Sequence, residues 1–157
     1  AREVAAGPVI GICQAAVQVA MTLAARFSIV TTLPRSVPII EDLADLYGAG
    51  RRCRRVRAID LPVLALEDDP ASARRLLRAE LLAAREQDGA EAVVLGCAGM
   101  AELCDWLAAE TGLPVIDGVT AAVKQAEAIV GMGYRTAKTG AYDWPRAKRG
   151  GLSCEVA

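Results

Sequence analysis

Two rhythms of apolar residues alternate along the chain. Short unbroken runs have the length and composition of buried strands: Pro8-Val9-Ile10-Gly11-Ile12, Phe27-Ser28-Ile29-Val30-Thr31-Thr32, Ala92-Val93-Val94-Leu95-Gly96 and Leu113-Pro114-Val115-Ile116. One or two more strands are expected within residues 53–67, the clearer being Leu61-Pro62-Val63-Leu64-Ala65-Leu66. Between these runs apolar residues recur every three or four positions, the spacing of a helix face. Such faces are Val17, Ala20, Met21 and Ala24; Ile39, Leu43 and Leu46; and Leu77, Leu81 and Ala84. Two more are Met100, Leu103, Cys104 and Leu107, then Val119, Ala122, Val123, Ala126 and Val130.

The punctuation agrees with these elements. Pro34 and Pro38 belong in a loop or a first helical turn, and Gly48 closes the helix that follows. At Asp69-Pro70 the carboxylate can cap free N–H groups, while proline takes the first helical position, where no N–H is needed. Gly131 and Gly133 close the last helix, and residues 134–157 form a polar, irregular tail. Strand and helix alternate about five times without a tight hairpin signal, so the expected fold is α/β: a parallel sheet with helices on both faces.

Composition narrows the chemistry. The 157 residues fit one domain able to bury its own core. Hydrophobic residues make up 54% but aromatics only 4%, so the apolar mass is Ala, Val, Leu and Ile, suited to buried strands under alanine-rich helices. There is no histidine, which excludes Ser-His-Asp and Cys-His nucleophilic sites within this chain. The five cysteines contain no CxxC pair, so no metal site is expected. A net charge of −1 argues against polyanion binding, and no apolar run is long enough to span a membrane. Scattered cysteines and the lack of a signal segment at the N-terminus point to reduced thiols in a cytoplasmic protein. The expected partners are a small-molecule substrate and further copies of the chain, with neither nucleic acid nor membrane.

In a parallel α/β sheet, ligands bind beyond the carboxyl ends of the strands. Three such ends are distinctive: Gly11-Ile12-Cys13-Gln14, Val30-Thr31-Thr32 and Leu95-Gly96-Cys97-Ala98-Gly99-Met100. Cys97 stands between a buried strand and a helix start, where free N–H groups and the positive helix end favour a thiolate. Gly96, Ala98 and Gly99 leave the backbone open to hold a carbonyl oxygen that becomes an enolate. Spacing alone fits equally a small hydrophobe in the core. Thr31 and Thr32 are candidates to bind imide or carboxylate oxygens, or are ordinary packing at a strand end.

The segment Leu95-Gly96-Cys97-Ala98-Gly99-Met100-Ala101, with Arg26-Phe27-Ser28-Ile29-Val30-Thr31-Thr32, resembles the hydantoin racemase family, allantoin racemases included, within the aspartate/glutamate racemase superfamily. Residues 8–12, 113–118 and 135–142 support it, and the likeness runs from residue 7 to about 145. The resemblance implies two α/β halves with a cysteine on each side of the cleft between them. One thiolate removes the substrate Cα proton, the opposite thiol returns one on the other face, and no cofactor takes part. Cys97 matches the second family cysteine. The first would belong to a half preceding Gly7, and residues 1–6 look like the end of that half's last helix. The chain thus resembles the second half of a two-domain racemase.

Cys13 stands where the family implies a glycine or another small residue, so it is either a small packed residue or an improvised second thiol. The resemblance implies a racemase of 5-substituted hydantoins or allantoin-like ureides, with Gly11 and Cys13 lining the site. The alternatives are a one-cysteine decarboxylase-like or amino-acid racemase member of the superfamily, or a non-catalytic half serving in assembly.

The other conspicuous features have plainer readings. Cys104 lies on an apolar helix face and is expected in the core. Five arginines between Arg51 and Arg57, around Cys53, read as a solvated edge strand or loop, since no aromatic is interleaved. Asp117 is a helix cap or a cleft residue, and Cys154 has no evident role.

Overall fold

The computed structural model describes residues 1–146. Residues 10–125 form one compact body, and residues 1–9 with 126–146 form another. In the smaller body, residues 1–5 close a single helical turn, Ala5 N donating to Ala1 O at 3.0 Å. Thr136 N donates to Ala6 O at 3.1 Å, and Lys138 Nζ donates to Arg2 O at 2.7 Å and lies 4.2 Å from the Trp144 ring centroid. Residues 135–146 are therefore largely irregular in backbone, apart from a single turn at Gly140–Tyr142, and are tied down by hydrogen bonds. Cys154 lies outside the described residues.

The larger body holds the sheet. In chain order the α-helices and strands are α1 (Ile12–Leu23), β1 (Phe27–Thr31), α2 (Val37–Leu46), β2 (Cys53–Ala58), α3 (Ala65–Asp68), α4 (Pro70–Asp88), β3 (Ala92–Leu95), α5 (Cys104–Thr111), β4 (Val115–Asp117) and α6 (Gly118–Gly131), the last continuing past residue 125. The four described strands are all parallel, in the order β2-β1-β3-β4. Because side chains alternate across a strand, Phe27, Ile29, Val56, Val94 and Ile116 face one way, onto α1, α2 and α6. Val30, Val93 and Leu95 face the other, onto α4 and α5. Helices thus cover both faces, as the alternation predicts. Asp69 caps α4 by accepting from Ser72 N at 3.1 Å, and Asp117 caps α6 by accepting from Thr120 N at 2.7 Å. No helix among the described residues is long and apolar enough to cross a membrane.

Several elements differ from the expectation. Pro8–Ile12 forms no strand, because the chain reaches Gly11 extended but unpaired and Ile12 already opens α1. An apolar run by itself does not distinguish a ladder strand from the lead-in to a buried helix. Leu61–Leu66 is not a strand either. The strand is Cys53–Ala58, after which Asp60 turns the chain at φ 53° and Leu61 N donates to Thr32 O. Pro62 has no N–H for a ladder, and its carbonyl instead accepts from Ala65 N at 3.0 Å ahead of α3.

Two helix faces are rotated from expectation. In α2, Val37, Ile40 and Ala44 pack inward while Ile39 and Leu46 are exposed. In α6, Ala121 and Ala122 are buried while Val119, Val123 and Val130 are exposed. In α6 small residues take the contact positions, whereas α2 packs inward through Val37, Ile40 and Ala44.

The arginine run is an edge strand of the described sheet, as expected, but Arg57 is not solvated. Its side chain is 8% exposed and grips Asp88 in a two-pronged pair at 2.7 and 2.8 Å. Glu80 and Gln87 accept further hydrogen bonds from it, and Ser28 Oγ donates to Asp88 at 3.0 Å. These bonds, chiefly that from Arg57, hold the Asp88 carboxyl below its ordinary value against the opposing effect of burial.

Candidate active site

The strand order decides where a ligand can sit. From β1 the chain crosses outward to β2, then returns past β1 to β3. The connections therefore diverge between β1 and β3, the topological switch point at which open α/β sheets form their crevice. Thr31 ends one of these strands and Gly96-Cys97 follows the other.

Gly96 brings the two ends together. Its N–H donates to Val30 O at 2.8 Å. A Cβ there would stand 3.1 Å from Ile29 Cγ2 and from Thr31 Cβ, so any larger residue would crowd β1 by a few tenths of an ångström. Thr31 is buried, and its hydroxyl donates to Gly96 O at 3.4 Å, so it fastens the loop carrying Cys97. Thr31 and Thr32 also accept from Ile59 N and Leu61 N through their carbonyls.

Cys97 is the extended residue capping a 3₁₀ segment, Ala98–Leu103, that leads into α5. The expectation of an α-helix directly after Cys97 is corrected by this turn, whose first internal hydrogen bond is Met100 N to Cys97 O at 3.1 Å. The N–H groups of Ala98 and Gly99 precede that bond and so have no acceptor within the turn. The thiol is half-buried and faces Gly99, where a Cβ would stand in ordinary contact with it, 3.8 Å from Cys97 Sγ.

A cavity of about 160 Å³ adjoins this loop. Gly96, Cys97 and Ala98 line it together with Cys13 and Ala16 of α1, Ile29 of β1, Ile40 and Leu43 of α2, and Gly118 of α6. Its lining includes no Asp, Glu, Lys or Arg. Of the residues expected at the site, Cys97, Gly96, Ala98 and Cys13 are thus brought together. Gly11, Gly99, Thr31 and Thr32 are not in the lining.

Cys13 lies in the first turn of α1 rather than at a strand end, because no strand precedes it. Burial pushes its thiol up from the usual value, which holds it protonated at neutral pH. Cys104 packs into the core, donates to Val115 O at 3.1 Å, and is pushed up to about 11, mainly by burial. Cys53 is likewise pushed up to about 11, burial acting with Asp45 and Glu41.

Gly118 was legible in the sequence only as a turn residue after Asp117. A Cβ at Gly118 would lie 2.6 Å from Ile12 O, so the starts of α1 and α6 meet there only because the residue is glycine.

The family model for Asp/Glu/Hydantoin racemase matches residues 1–126. The chain belongs to this family. It is 70% identical over 148 residues to a hydantoin racemase of Rhizobium meliloti, a match covering 94% of this chain and 61% of that protein. Two solved structures share its fold. The allantoin racemase from Klebsiella pneumoniae superposes with a TM-score of 0.90 at 49% identity, covering 96% of this chain and 62% of that one. For the allantoin racemase from Pseudomonas fluorescens the TM-score is 0.89 at 44% identity, covering 94% and 63%. The chain therefore spans about three fifths of the length of these racemase-family relatives.

Proposed function

We propose that the chain carries one acid/base side of a cofactor-independent racemase acting on 5-substituted hydantoins or allantoin-like ureides, with Cys97 exchanging the Cα proton. The observation that carries this reading is the position of Cys97, a half-buried thiol at the β1/β3 switch point with a cavity beside it. A hydantoin C5–H is acidified by its neighbouring carbonyl, so a positioned thiolate suffices as base. As the proton leaves, charge moves to the carbonyl oxygen, and the N–H groups of Ala98 and Gly99, which have no acceptor within their turn, are the donors assigned to receive it. Thr31 acts through Gly96, holding the loop rather than touching substrate.

Racemisation also needs a proton returned on the opposite face. Cys13 lines the same cavity and is held as a neutral thiol, the form that gives up a proton. The rival source is a cysteine in sequence preceding this chain.

The test is proton exchange. One enantiomer of 5-methylhydantoin is incubated with the protein in D2O, following C5–H by NMR and optical rotation in parallel. Exchange is expected to fall about a hundredfold or more in Cys97→Ser. Exchange with loss of rotation indicates a second acid/base, and its persistence in Cys13→Ser assigns that role elsewhere. Exchange no faster than in Cys97→Ser sinks the reading.

A further inference from the structure

We infer that the exposed face at the end of α2 docks against the same face of a second copy of this chain, the two related by a two-fold axis through Leu46. The inference is independent of the chemistry proposed for Cys97 and uses only residues of the larger body. Helix α2 turns Val37, Ile40 and Ala44 inward, and its outer side carries Ile39 and Leu46, two turns apart. Ile39 is 63% exposed and Leu46 74%, so the folded chain leaves both aliphatic side chains largely in water. Exposed apolar side chains rimmed by polar ones are the signature of a contact surface.

Leu46 stands between charges of opposite sign. Before it on the helix come Glu41, Asp42 and Asp45. After the turn at Gly48 come Arg51, Arg52, Arg54 and Arg55, and both groups are exposed. They are neighbours in space: α2 packs against β2, and Asp45 and Glu41 help push up the thiol of Cys53, which follows Arg52. Among the described residues, however, no ion pair joins the two groups. Arg52 and Arg54 donate to the main-chain carbonyls of Met21 and Asp88 instead.

This arrangement selects the occupant. A partner of one charge would be drawn to one side of Leu46 and repelled by the other. A second copy turned about an axis that crosses α2 at Leu46 presents the two sides exchanged. Its carboxylates then face these arginines, its arginines face these carboxylates, and Leu46 packs on its own counterpart. A net charge of −1 leaves little general repulsion between copies. The arginines of β2 also oppose strand pairing at the sheet edge, which leaves the helix face as the contact.

The experiment follows the full chain by sedimentation velocity between about 5 and 200 µM, the range in which a small interface assembles. The expected result is a dimer that forms with rising concentration and weakens severalfold at high salt. Leu46→Asp, which sets two carboxylates at the axis, is expected to weaken it at least about tenfold. Two charge variants decide the matter. Asp42→Arg with Asp45→Arg makes the patch wholly basic, and Arg51→Glu with Arg55→Glu makes it mostly acidic. Each is expected to stay monomeric by itself while keeping the far-ultraviolet circular dichroism of the parent, and an equimolar mixture of the two is expected to restore the dimer. An unmodified chain that remains monomeric throughout overturns the interface. So does a dimer that both charge variants retain, or a mixture that fails to assemble.

Discussion

The two faces of the sheet are built on different principles. The face under α4 and α5 is filled by large side chains, Leu77, Leu81, Met100 and Leu107, all fully buried. It also holds the Arg57–Asp88 pair, on the same side as Val30 and Ser28. The face under α1, α2 and α6 is lined by alanines, Ala15, Ala16, Ala20, Ala44, Ala121 and Ala122, and it keeps the cavity. Large residues fill space and secure stability. Small ones allow helix starts to converge on the strand ends and leave room for a ligand. The tightly filled core and the candidate site therefore lie on opposite sides of the same four strands.

Breaking the filled face should cost most. Arg57→Leu leaves the Asp88 carboxylate buried without its partner and is expected to lower stability by about 3–5 kcal/mol in urea unfolding. The double variant Arg57→Leu, Asp88→Leu should recover most of this, because the unpaired charge is gone. Leu81→Ala is expected to cost about 2–5 kcal/mol by the same measurement while leaving the cavity lining intact. Equal losses for cavity-face and filled-face truncations would erase the comparison.

On the alanine face, Gly118→Ala should cost less stability, about 1–3 kcal/mol, but more function. Its methyl would drive α6 off Ile12, moving the first turn that carries Cys13. Deuterium exchange into a hydantoin should drop at least about tenfold, and unchanged exchange would show that the helix starts do not position the site.

The smallest effect is the acid limb. Asp88 is held below its unfolded carboxyl value, so its contribution is complete above that value, about 3.9, and is lost as pH falls through the lower folded one. The urea midpoint should be nearly flat between about pH 7 and 5 and decline below about pH 4. Asp88→Asn, already lacking the charge, should show a shallower decline.

Local signals marked much of this fold correctly because their causes are local. Asp69-Pro70 and Asp117-Gly118 start helices through hydrogen bonds within three residues. The four-residue turn of α4 buries Leu77, Leu81 and Ala84 as its spacing predicts. Signals that required a partner were ambiguous. Pro8–Ile12 and Leu61–Leu66 are as apolar as the true strands, but a strand exists only where a neighbour supplies the ladder. In α2 and α6 apolar spacing could not say which stripe would be covered, since that depends on the surface each helix meets: α6 turns alanines inward, α2 Val37, Ile40 and Ala44.

The candidate site divides in the same way. The sequence by itself determined that Cys97 stands between a strand and a helical turn, flanked by residues small enough to expose backbone N–H groups, and that these 157 residues hold no histidine to set beside it. Only the tertiary structure decided that β1 lies beside β3, setting this thiol at the switch point. It alone brought Cys13, far away in the chain, into the same cavity and drew Arg57 out of its arginine run into a buried pair. Backbone capping acts over a few residues and is written in their order. Strand order, helix rotation and burial are settled by the packing of the whole body, which minimises unfilled space and unpaired charge together.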